Sequence, residues 1–331
     1  MKNHPLSSTL WFLIIILILN GCGTPGYQPG DEAPYEEIPP TQEVAPDGIL
    51  ETVTWNIEWY DADDNFQQTK NAVRVMDSLN ADLYALQEIN SQQALNQLLS
   101  PLTGYRGITA EYISQGQKMA FVYNSNTIEV LDSGAIESTD VPPAYQEQWS
   151  YYWANGREPL YVSFNYRFEN TRIPFYAIVI HGKANYGDNS EEYAEAYRRR
   201  QQAAEGLYHY LMDEHAEANI ILLGDYNDDV DESLYYYSPG DFAETPYDEF
   251  INHPSHFEII THQLSKEKRS SSINYMDEGN LIDHITMSNE LYQMYVAQSA
   301  AVYDAPLTYI PNFERTTSDH LPVWAKFDVT Q

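Results

Sequence analysis

The feature that most constrains the fold of this chain is a series of short apolar runs rich in β-branched and aromatic residues. Eight of these runs recur along the sequence: Leu50–Ile57, Leu83–Leu86, Ala120–Tyr123, Leu160–Phe168, Phe175–Ile180, Ile220–Leu223, Ile282–Met287 and Pro322–Val329. Their length and composition predict β-strands. Several are too apolar for a sheet with one face in water, so we expect both faces of the sheets to be covered.

Helical patterns lie between the predicted strands. Phe66–Leu79 places Val73, Met76 and Leu79 on one face, and Glu191–Glu217 repeats apolar residues at helical spacing. Two packed sheets with helices on their outer faces would accommodate this number of strands in one α/β domain. We expect that domain to cover residues 48–331.

The first 21 residues have the pattern of a secretory signal. Leu10–Leu19 is an unbroken apolar run of ten residues, which is too short to span a bilayer as a helix. The run leads into Leu19-Asn20-Gly21-Cys22, which resembles the lipobox of bacterial lipoproteins, where the cysteine is diacylated. The alternative is an ordinary signal peptide with a chance cysteine. The pattern predicts a signal peptide over residues 1–21, lipidation of Cys22 and a domain held at the cell envelope by this lipid.

Residues 22–47 have the composition of a tether. After Cys22, the only cysteine in the chain, the segment contains six prolines and several acids but no lysine or arginine. Such a segment buries too little apolar surface to fold by itself and favours a loose, extended spacer. With a single cysteine, an exported domain has no internal disulfide and its core must be stable without one.

The charge of the chain restricts the partners it can bind. The formal net charge is −32, with 17 basic and 49 acidic residues. A protein that binds nucleic acid through many phosphate contacts normally has a basic stripe, and the sequence has none. Its one run of three consecutive basic residues, Arg198-Arg199-Arg200, lies among glutamates and predicts a salt-bridged helix face. The charge therefore counts against tight, processive nucleic-acid binding, although bound divalent cations can reverse the local sign.

Polar residues close or follow the apolar runs, and these are the candidate site residues. They are Asn56, Glu58, Glu88, His181, Asp225, Asn227, Asp283, Asp319 and His320. An ionisable group within a strand is costly unless it is paired or bound to a metal. Each residue alone has a structural explanation, such as a turn, a helix cap or a satisfied core amide. Their combination predicts one chemical site.

The order of these motifs resembles the endonuclease/exonuclease/phosphatase superfamily, which includes deoxyribonuclease I. The resemblance rests on Trp55-Asn56-Ile57, Gln87-Glu88, His181, Gly224-Asp225-Tyr226-Asn227, Ile282-Asp283-His284 and Ser318-Asp319-His320-Leu321-Pro322-Val323. It extends from about Leu50 to Phe327. It implies a four-layer α/β/β/α sandwich of two packed mixed sheets flanked by helices, with the site at one edge of the paired sheets.

The resemblance also implies a divalent metal site. Asn56 and Glu88 would hold the cation, Glu58 would assist through water, and Asp319 would be a second carboxylate on the metal side. Mg²⁺ or Mn²⁺ is the implied cofactor, because both ions prefer oxygen ligands. When bound, such a cation neutralises charge on the phosphate and lowers the pKa of bound water.

The remaining roles come from the same resemblance. Asp225 and Asn227 would orient or deprotonate the attacking water. His320, oriented by Asp283, would stabilise the phosphoryl oxygens or share the role of the base. His181 would contact the phosphate or assist the leaving group.

One further residue is assigned to the substrate. Gly156-Arg157-Glu158-Pro159 is similar to an Arg-x-Pro segment of the superfamily, which places Arg157 near the substrate phosphate.

The sequence departs from the superfamily pattern at two positions. The deoxyribonuclease I branch has a glutamate that supports the first histidine, but residues 116–119 contain no acid. His181 is therefore expected to lack a carboxylate partner and to be a poorer general acid. His284 follows Asp283 where many relatives have another residue type, and we expect a supporting hydrogen bond rather than metal ligation. The irregular stretch Tyr226–Ile251 is predicted to be a surface loop, in which Tyr235–Tyr237 could line a cleft.

These observations favour a metal-dependent phosphodiesterase or endonuclease that acts on extracellular nucleic acid. The alternatives are a lipid head-group or inositol phosphate hydrolase of the same fold, and a non-catalytic surface lipoprotein. The predicted partners are a phosphodiester substrate and the membrane that holds the N-terminal lipid. No protein partner is predicted.

Overall fold

The computed structural model describes residues 46–62, 66–114, 116–238 and 240–331. The predicted signal peptide, Cys22 and nearly all of the predicted tether lie outside the described residues. The described part contains two six-stranded sheets and a separate two-stranded hairpin. Helices flank the paired sheets, which confirms the predicted α/β class with two packed mixed sheets.

The strands are numbered in chain order, and eight of them match the eight predicted runs. They are β1 (Ile49–Tyr60), β2 (Leu83–Ile89), β3 (Tyr105–Thr109), β4 (Lys118–Asn124), β5 (Ile128–Ala135), β6 (Leu160–Phe168), β7 (Thr171–His181), β8 (Ile220–Asp225), β9 (Tyr236–Ser238), β10 (Asp241–Phe242), β11 (Phe257–Ile259), β12 (Asp283–Ser288), β13 (Ala301–Val302) and β14 (Val323–Asp328). The other six strands were not predicted, because they are short or contain many polar residues.

The α-helices include both predicted helices. They are α1 (Phe66–Leu79), α2 (Gln92–Leu99), α3 (Pro143–Gln146), α4 (Trp149–Tyr152), α5 (Ser190–Glu214), α6 (Asp248–Asn252), α7 (His262–Lys266), α8 (Pro306–Tyr309) and α9 (Phe313–Thr316). In α5, the Asn189 side chain accepts hydrogen bonds from the backbone N–H groups of Glu191 and Glu192, which caps the helix. None of the helices in the described ranges is both long enough and apolar enough to cross a bilayer.

The two large sheets have similar topologies. The first has the order β13-β14-β1-β2-β4-β3, and the second has the order β11-β12-β8-β7-β6-β5. Each contains one parallel pair, β1–β2 in the first and β7–β8 in the second. The other paired strands are antiparallel. The carboxyl ends of a parallel pair lie at the same edge, so each sheet brings two strand ends together at one place.

The sheets pack face to face and carry helices on their outer sides. Strands β1 and β2 contact β8 across the interface, and β4 contacts β7. Helix α2 packs on β2 and β3, whereas Leu207 and Leu211 of α5 belong to a buried cluster with Ile178 of β7. Apolar burial on both faces explains why the central strands read as continuous apolar runs.

Two sequence expectations were wrong in detail. The predicted surface loop Tyr226–Ile251 is exposed only in its middle, around Tyr236 and Tyr237, because Tyr226, Tyr247 and Phe250 near its two ends pack into the core. The segment also contains the β9–β10 hairpin and α6.

The arginine cluster on α5 is likewise not one exposed, salt-bridged face. Only Arg198 fits that description, with a 2.7 Å ion pair to Glu195. Arg199 and Arg200 are buried. Arg199 packs on Tyr151 of α4, and Arg200 pairs with Asp228, and a charge pattern alone reveals neither contact.

Candidate active site

The strand ends predicted to carry chemistry meet at one edge of the sandwich. In the parallel pairs, Asn56 of β1 lies opposite Gln87 of β2, and His181 of β7 lies opposite Asp225 of β8. Asp283 begins β12 and is paired with Asp225 in the antiparallel direction. Sheet register therefore brings together residues that are far apart in sequence.

Irregular backbone geometry in the first sheet directs the side chains of Asn56 and Glu88 toward this edge. The β1–β2 register shifts between Asn56 and Tyr60, and Glu88 has a left-handed φ of 65°. Glu58 and Trp59 also have positive φ values, both 47°. Such conformations cost energy in non-glycine residues and cluster at functional sites. Bulges often redirect a side chain next to an active site, and this one directs Asn56 and Glu88 toward the second sheet.

Glycine allows the strands of the second sheet to approach closely near the site. A Cβ atom added at Gly224 would lie 2.2 Å from the carbonyl oxygen of Ile180. Any side chain at this position would separate β8 from β7. The Gly-Asp sequence therefore follows from the close approach that positions Asp225.

Asn56 connects the carboxylates of the two sheets. Its Nδ2 donates to Oε1 of Glu88 at 3.2 Å and to Oδ2 of Asp225 at 3.1 Å. The other oxygen of Glu88 accepts a 3.0 Å hydrogen bond from the backbone N–H of Trp59. Two buried carboxylates thus share one neutral amide, an arrangement that a hard cation would stabilise. The oxygen-rich donor set fits a divalent metal ion of that kind.

Asp283 and His320 form a hydrogen-bonded pair beside Asp225. Nδ1 of His320 lies 2.7 Å from Oδ2 of Asp283, and the same oxygen accepts from the Ser271 hydroxyl at 2.7 Å. Burial alone would lower the pKa of His320. The negative charges of Asp283, Asp225 and Asp319 outweigh that effect and raise this pKa well above its usual value. These charges favour the protonated form of His320, and the hydrogen bond from Nδ1 to Asp283 fixes the orientation of the ring.

Asp225 lies in a strongly negative environment. Burial and the charge of Asp283 raise its pKa, whereas His320 and the Asn56 amide oppose the increase. A carboxylate with a raised pKa is better suited to accept a proton near neutral pH. Donor atoms of Asp225, Asp283 and His320 lie within 4.8 Å of one another, so this buried group could also hold a metal ion. Because Nδ1 of His320 is already bound to Asp283, we interpret the pair mainly as a proton-handling unit.

The side chain that contacts His181 most closely is an arginine and not a carboxylate. Nη1 of Arg157 lies 3.1 Å from Nδ1 of His181, and the nearest carboxylate oxygens, of Asp225 and Glu88, lie 3.6 and 3.8 Å from Nε2. Arginine has only donors, so the imidazole nitrogen it contacts must be unprotonated. Burial and the charge of Arg157 lower the pKa of His181 well below its usual value. His181 is therefore neutral, consistent with the expectation of a poorer general acid.

Arg157 is fixed by residues that the sequence did not single out. It donates to Oε1 of Gln117 at 3.1 Å and to the carbonyl oxygen of Gly182 at 3.2 Å. Gln117 lies in the segment 116–119, which contains no acid, and its amide oxygen accepts a hydrogen bond from Arg157.

The remaining predicted residues lie at the rim of the same site. Glu58 accepts the backbone N–H of Asp319 at 3.0 Å, and Asp319 accepts from Asn274 at 2.8 Å. The backbone N–H of Asn227 donates to Oδ1 of Asp225 at 2.9 Å. All of the candidate metal residues, together with His181, Asp225, Asn227, His320 and Arg157, line one polar cavity of about 360 Å³. Asp283 lies behind His320.

His284 is outside this cavity. It is fully buried and hydrogen-bonds to the Thr261 hydroxyl and to the carbonyl oxygen of Leu281, both at 2.9 Å. It supports the start of β12 and does not face the site. Tyr235 and Tyr236 line a separate cavity with Tyr193.

Ser271, Ser318 and Trp59 support the site, and the sequence analysis predicted no role for them. The Ser318 hydroxyl donates to the carbonyl oxygen of Asn56 at 2.6 Å and accepts from the backbone N–H of His320 at 2.9 Å. Its position two residues before His320 was the available signal. No local signal marks Ser271.

Two packed six-stranded sheets with these polar residues at one edge are typical of a class of phosphoesterases. A sequence comparison identifies the family. The profile of the Endonuclease/Exonuclease/phosphatase family matches residues 53–320, so the chain belongs to that family. No curated protein sequence matches the chain.

Solved structures show the same fold at low sequence identity. An AP endonuclease from Archaeoglobus fulgidus is 17% identical, with a TM-score of 0.57 over 85% of this chain and 100% of that chain. The human Nocturnin catalytic domain is 16% identical, with a TM-score of 0.56 over 88% and 99%. A mannosyl-6-phosphatase from Bacteroides thetaiotaomicron is 15% identical, with a TM-score of 0.52 over 83% and 98%.

Proposed function

We propose that this protein is a divalent-metal-dependent phosphodiesterase that cleaves extracellular nucleic acid or its fragments. The observation that carries the proposal is the convergence of Asn56, Glu88, Asp225 and the Asp283–His320 pair on one polar cavity. A binding protein has no physical need for several buried carboxylates that destabilise one another. The low-identity structural neighbours contribute only the fold to this argument.

Oxygen donors at the site would hold Mg²⁺ or Mn²⁺. Asn56 and Glu88 are the proposed ligands, with Glu58 acting through water and Asp319 as a second carboxylate at the rim. When bound, the cation would neutralise phosphate charge and lower the pKa of coordinated water. Zinc is less suited, because it favours histidine and cysteine ligands.

The side chains of the protein would handle the proton and the phosphate. Asp225, with its raised pKa, would accept the proton of the attacking water, and Asn227 would orient that water. The cationic His320, held by Asp283, would donate hydrogen bonds to the phosphoryl oxygens as negative charge develops. Neutral His181 would contact the phosphate or the leaving group.

Arg157 would contribute fixed positive charge to the phosphate. Because its guanidinium is held by Gln117 and Gly182, little reorganisation is needed when the anion binds.

We also propose that a lipid on Cys22 places the domain at the cell envelope, outside the cytoplasm. The support is the lipobox-like sequence at Leu19–Cys22 and the acidic, proline-rich residues 22–47. Cys22→Ser should release the protein from the membrane fraction and remove incorporation of labelled palmitate. Unchanged membrane association of this variant would contradict the proposed lipid attachment.

The activity is tested with the full chain, solubilised in detergent. Bis(p-nitrophenyl) phosphate and plasmid DNA should be hydrolysed with Mg²⁺ or Mn²⁺, and EDTA should abolish the reaction. Asp225→Asn protein, purified in parallel, measures any contaminating phosphodiesterase. A folded protein that hydrolyses no DNA, RNA, sphingomyelin or inositol phosphate with either metal would favour the non-catalytic alternative.

A further inference from the structure

The cavity is lined by two basic residues that the proposed mechanism does not use. Besides Arg157, the side chains of Lys183 and Arg199 line it. The chain has only 17 lysines and arginines against 49 acids. Even so, none of these three cations forms an ion pair with a carboxylate among the residues that the structure describes.

Arg199 differs from its two neighbours on α5. Arg198 pairs with Glu195, and Arg200 pairs with Asp228, both at 2.7 Å. Arg199 instead stacks over the ring of Tyr151, with its Cζ 4.1 Å from the ring centroid, and donates Nη2 to the carbonyl oxygen of the same residue. Its side chain is only 6% exposed, and its Nε has no hydrogen-bond partner. A buried guanidinium of this kind is costly unless an anion completes its environment.

Lys183 lies close enough to Arg199 to be affected by its charge. Its Nζ donates to the carbonyl oxygen of Ala184 at 3.1 Å. Burial and the nearby charges of Arg199, Arg157 and Arg200 lower its pKa. Like charges held together in this way repel one another, and a bound polyvalent anion would relieve the repulsion.

We propose that Lys183 and Arg199 form a second anion subsite that binds a non-scissile phosphate of the substrate. The preferred substrate is then a phosphodiester that carries a further phosphate group. This inference rests on the proposed function, in which Arg157 and the metal residues bind the scissile phosphate. It also gives a protein with a net charge of −32 a local group of cations, Arg157, Lys183 and Arg199, that can contact an anion.

A matched substrate pair tests the proposal. Thymidine 5′-(p-nitrophenyl phosphate) and its 3′-phosphorylated counterpart have the same scissile bond and differ by one phosphate. We expect kcat/KM to favour the 3′-phosphorylated substrate by about tenfold or more, since charge-assisted hydrogen bonds are strong. In Arg199→Gln and Lys183→Gln this ratio should fall toward one. Arg198→Gln, on the same helix but exposed and outside the cavity, is the matched control and should keep the wild-type ratio.

A third substrate distinguishes the source of the second phosphate. In a thymidine dinucleotide p-nitrophenyl ester the further phosphate is an internucleotide diester. Equal preference for this compound would identify nucleic-acid fragments as the source. Preference for the terminal phosphate alone would identify a small bisphosphorylated molecule. A wild-type ratio near one for both phosphorylated substrates, or a preference unchanged in both Arg199→Gln and Lys183→Gln, would overturn the proposal.

Binding without turnover separates this proposal from the proposed function. In EDTA, thymidine 3′,5′-bisphosphate should raise the Tm of the wild-type protein more than thymidine 5′-monophosphate does. Arg199→Gln should lose that difference, and Lys183→Gln provides the same test if Arg199→Gln does not fold. If the wild-type protein hydrolyses no ester but shows the Tm difference, the subsite stands and the proposed reaction fails. If it hydrolyses the esters but shows no Tm difference, the subsite fails.

Discussion

Strand β2 has a buried acid at each end, and the two acids have different surroundings. Asp82 immediately precedes the strand, where Oδ2 accepts the backbone N–H of Glu51 at 3.0 Å and Oδ1 accepts the Thr127 hydroxyl at 2.7 Å. Glu88, near the other end, shares the amide of Asn56 with Asp225. Each oxygen of Asp82 has its own donor within the fold. At the Glu88 end, acids from two sheets face one cavity and leave a place for a cation.

The two ends of the sandwich also have different cavities. One cavity, of about 530 Å³, lies at the amino end of β8 and is lined by aromatic residues that include Tyr161, Tyr176 and Tyr210. The other, of about 360 Å³, contains the candidate active site and is lined mainly by charged and amide side chains. The side chains that line a cavity, and not the burial of an acid alone, therefore identify the site.

The largest effect is expected from Asp225→Asn. This change keeps the shape of the side chain but removes the proposed proton acceptor, so kcat should fall by about 10²–10⁴-fold. The Tm should stay the same or rise, because repulsion with Asp283 is removed. Kinetics and thermal unfolding on the same preparation check both statements. Wild-type activity in Asp225→Asn would show that the acids at the active-site end of the sandwich are no more needed for catalysis than Asp82 at the other end.

Asp283→Asn tests the role of the carboxylate that holds His320 at the active-site end. Without the carboxylate, the pKa of His320 should fall, and the cation should be lost as pH rises toward neutrality. We expect a loss of activity that grows with pH, by up to about 10⁴-fold. The pH profile of kcat checks this, and Asp82→Asn is the control because it replaces a buried carboxyl group at the opposite end of β2. Identical pH profiles for the wild type and Asp283→Asn would contradict the proton-handling unit.

Asp228→Ala should affect stability rather than chemistry. Asp228 and Arg200 form a 2.7 Å pair in which both side chains are fully buried, so removing one partner leaves an uncompensated charge. The free energy of unfolding should fall by about 3–5 kcal/mol.

A double variant is the control for this pair. Arg200→Met combined with Asp228→Leu should be less destabilising than Asp228→Ala. Urea unfolding measures both, and a loss in the double variant as large as that in Asp228→Ala would contradict the pairing argument.

The smallest effect concerns the pH dependence of stability at Asp82. Burial raises its pKa to about 7 in the folded protein, whereas an unfolded aspartate titrates near about 3.9. Between these values the folded state keeps a proton that the unfolded state releases. Asp82 should therefore reduce the free energy of unfolding as pH rises from about 4 to 7, by up to about 4 kcal/mol. Asp82→Asn should flatten this part of the stability curve, and an unchanged slope would show that Asp82 titrates normally.

The layered fold and most of the site could be predicted because each signal was local. Apolar runs predicted the central strands, and the polar residues that close them identified Asn56, Glu88, His181 and Asp225. The register of the parallel pairs brings these strand ends together. In the sequence, only the order of the motifs indicated that these strand ends would meet.

Other features depend on contacts that no local pattern records. The bulge that aims Glu88 requires a register shift between two strands. The Ser271 hydroxyl reaches Asp283 from another segment. Arg199 is buried although the sequence around it has the charge pattern of an exposed helix face. Short strands such as β11 and β13 form because the neighbouring strands present unpaired edges.

The most direct test of the account is a Mn²⁺ titration followed by electron paramagnetic resonance. The same experiment is made on the wild type, Glu88→Gln and Asp82→Asn. If the candidate site is the metal centre, the wild type and Asp82→Asn bind Mn²⁺ with similar affinity, and Glu88→Gln binds it at least about tenfold more weakly. Equal binding by Glu88→Gln and the wild type would contradict a metal centre at this edge of the paired sheets.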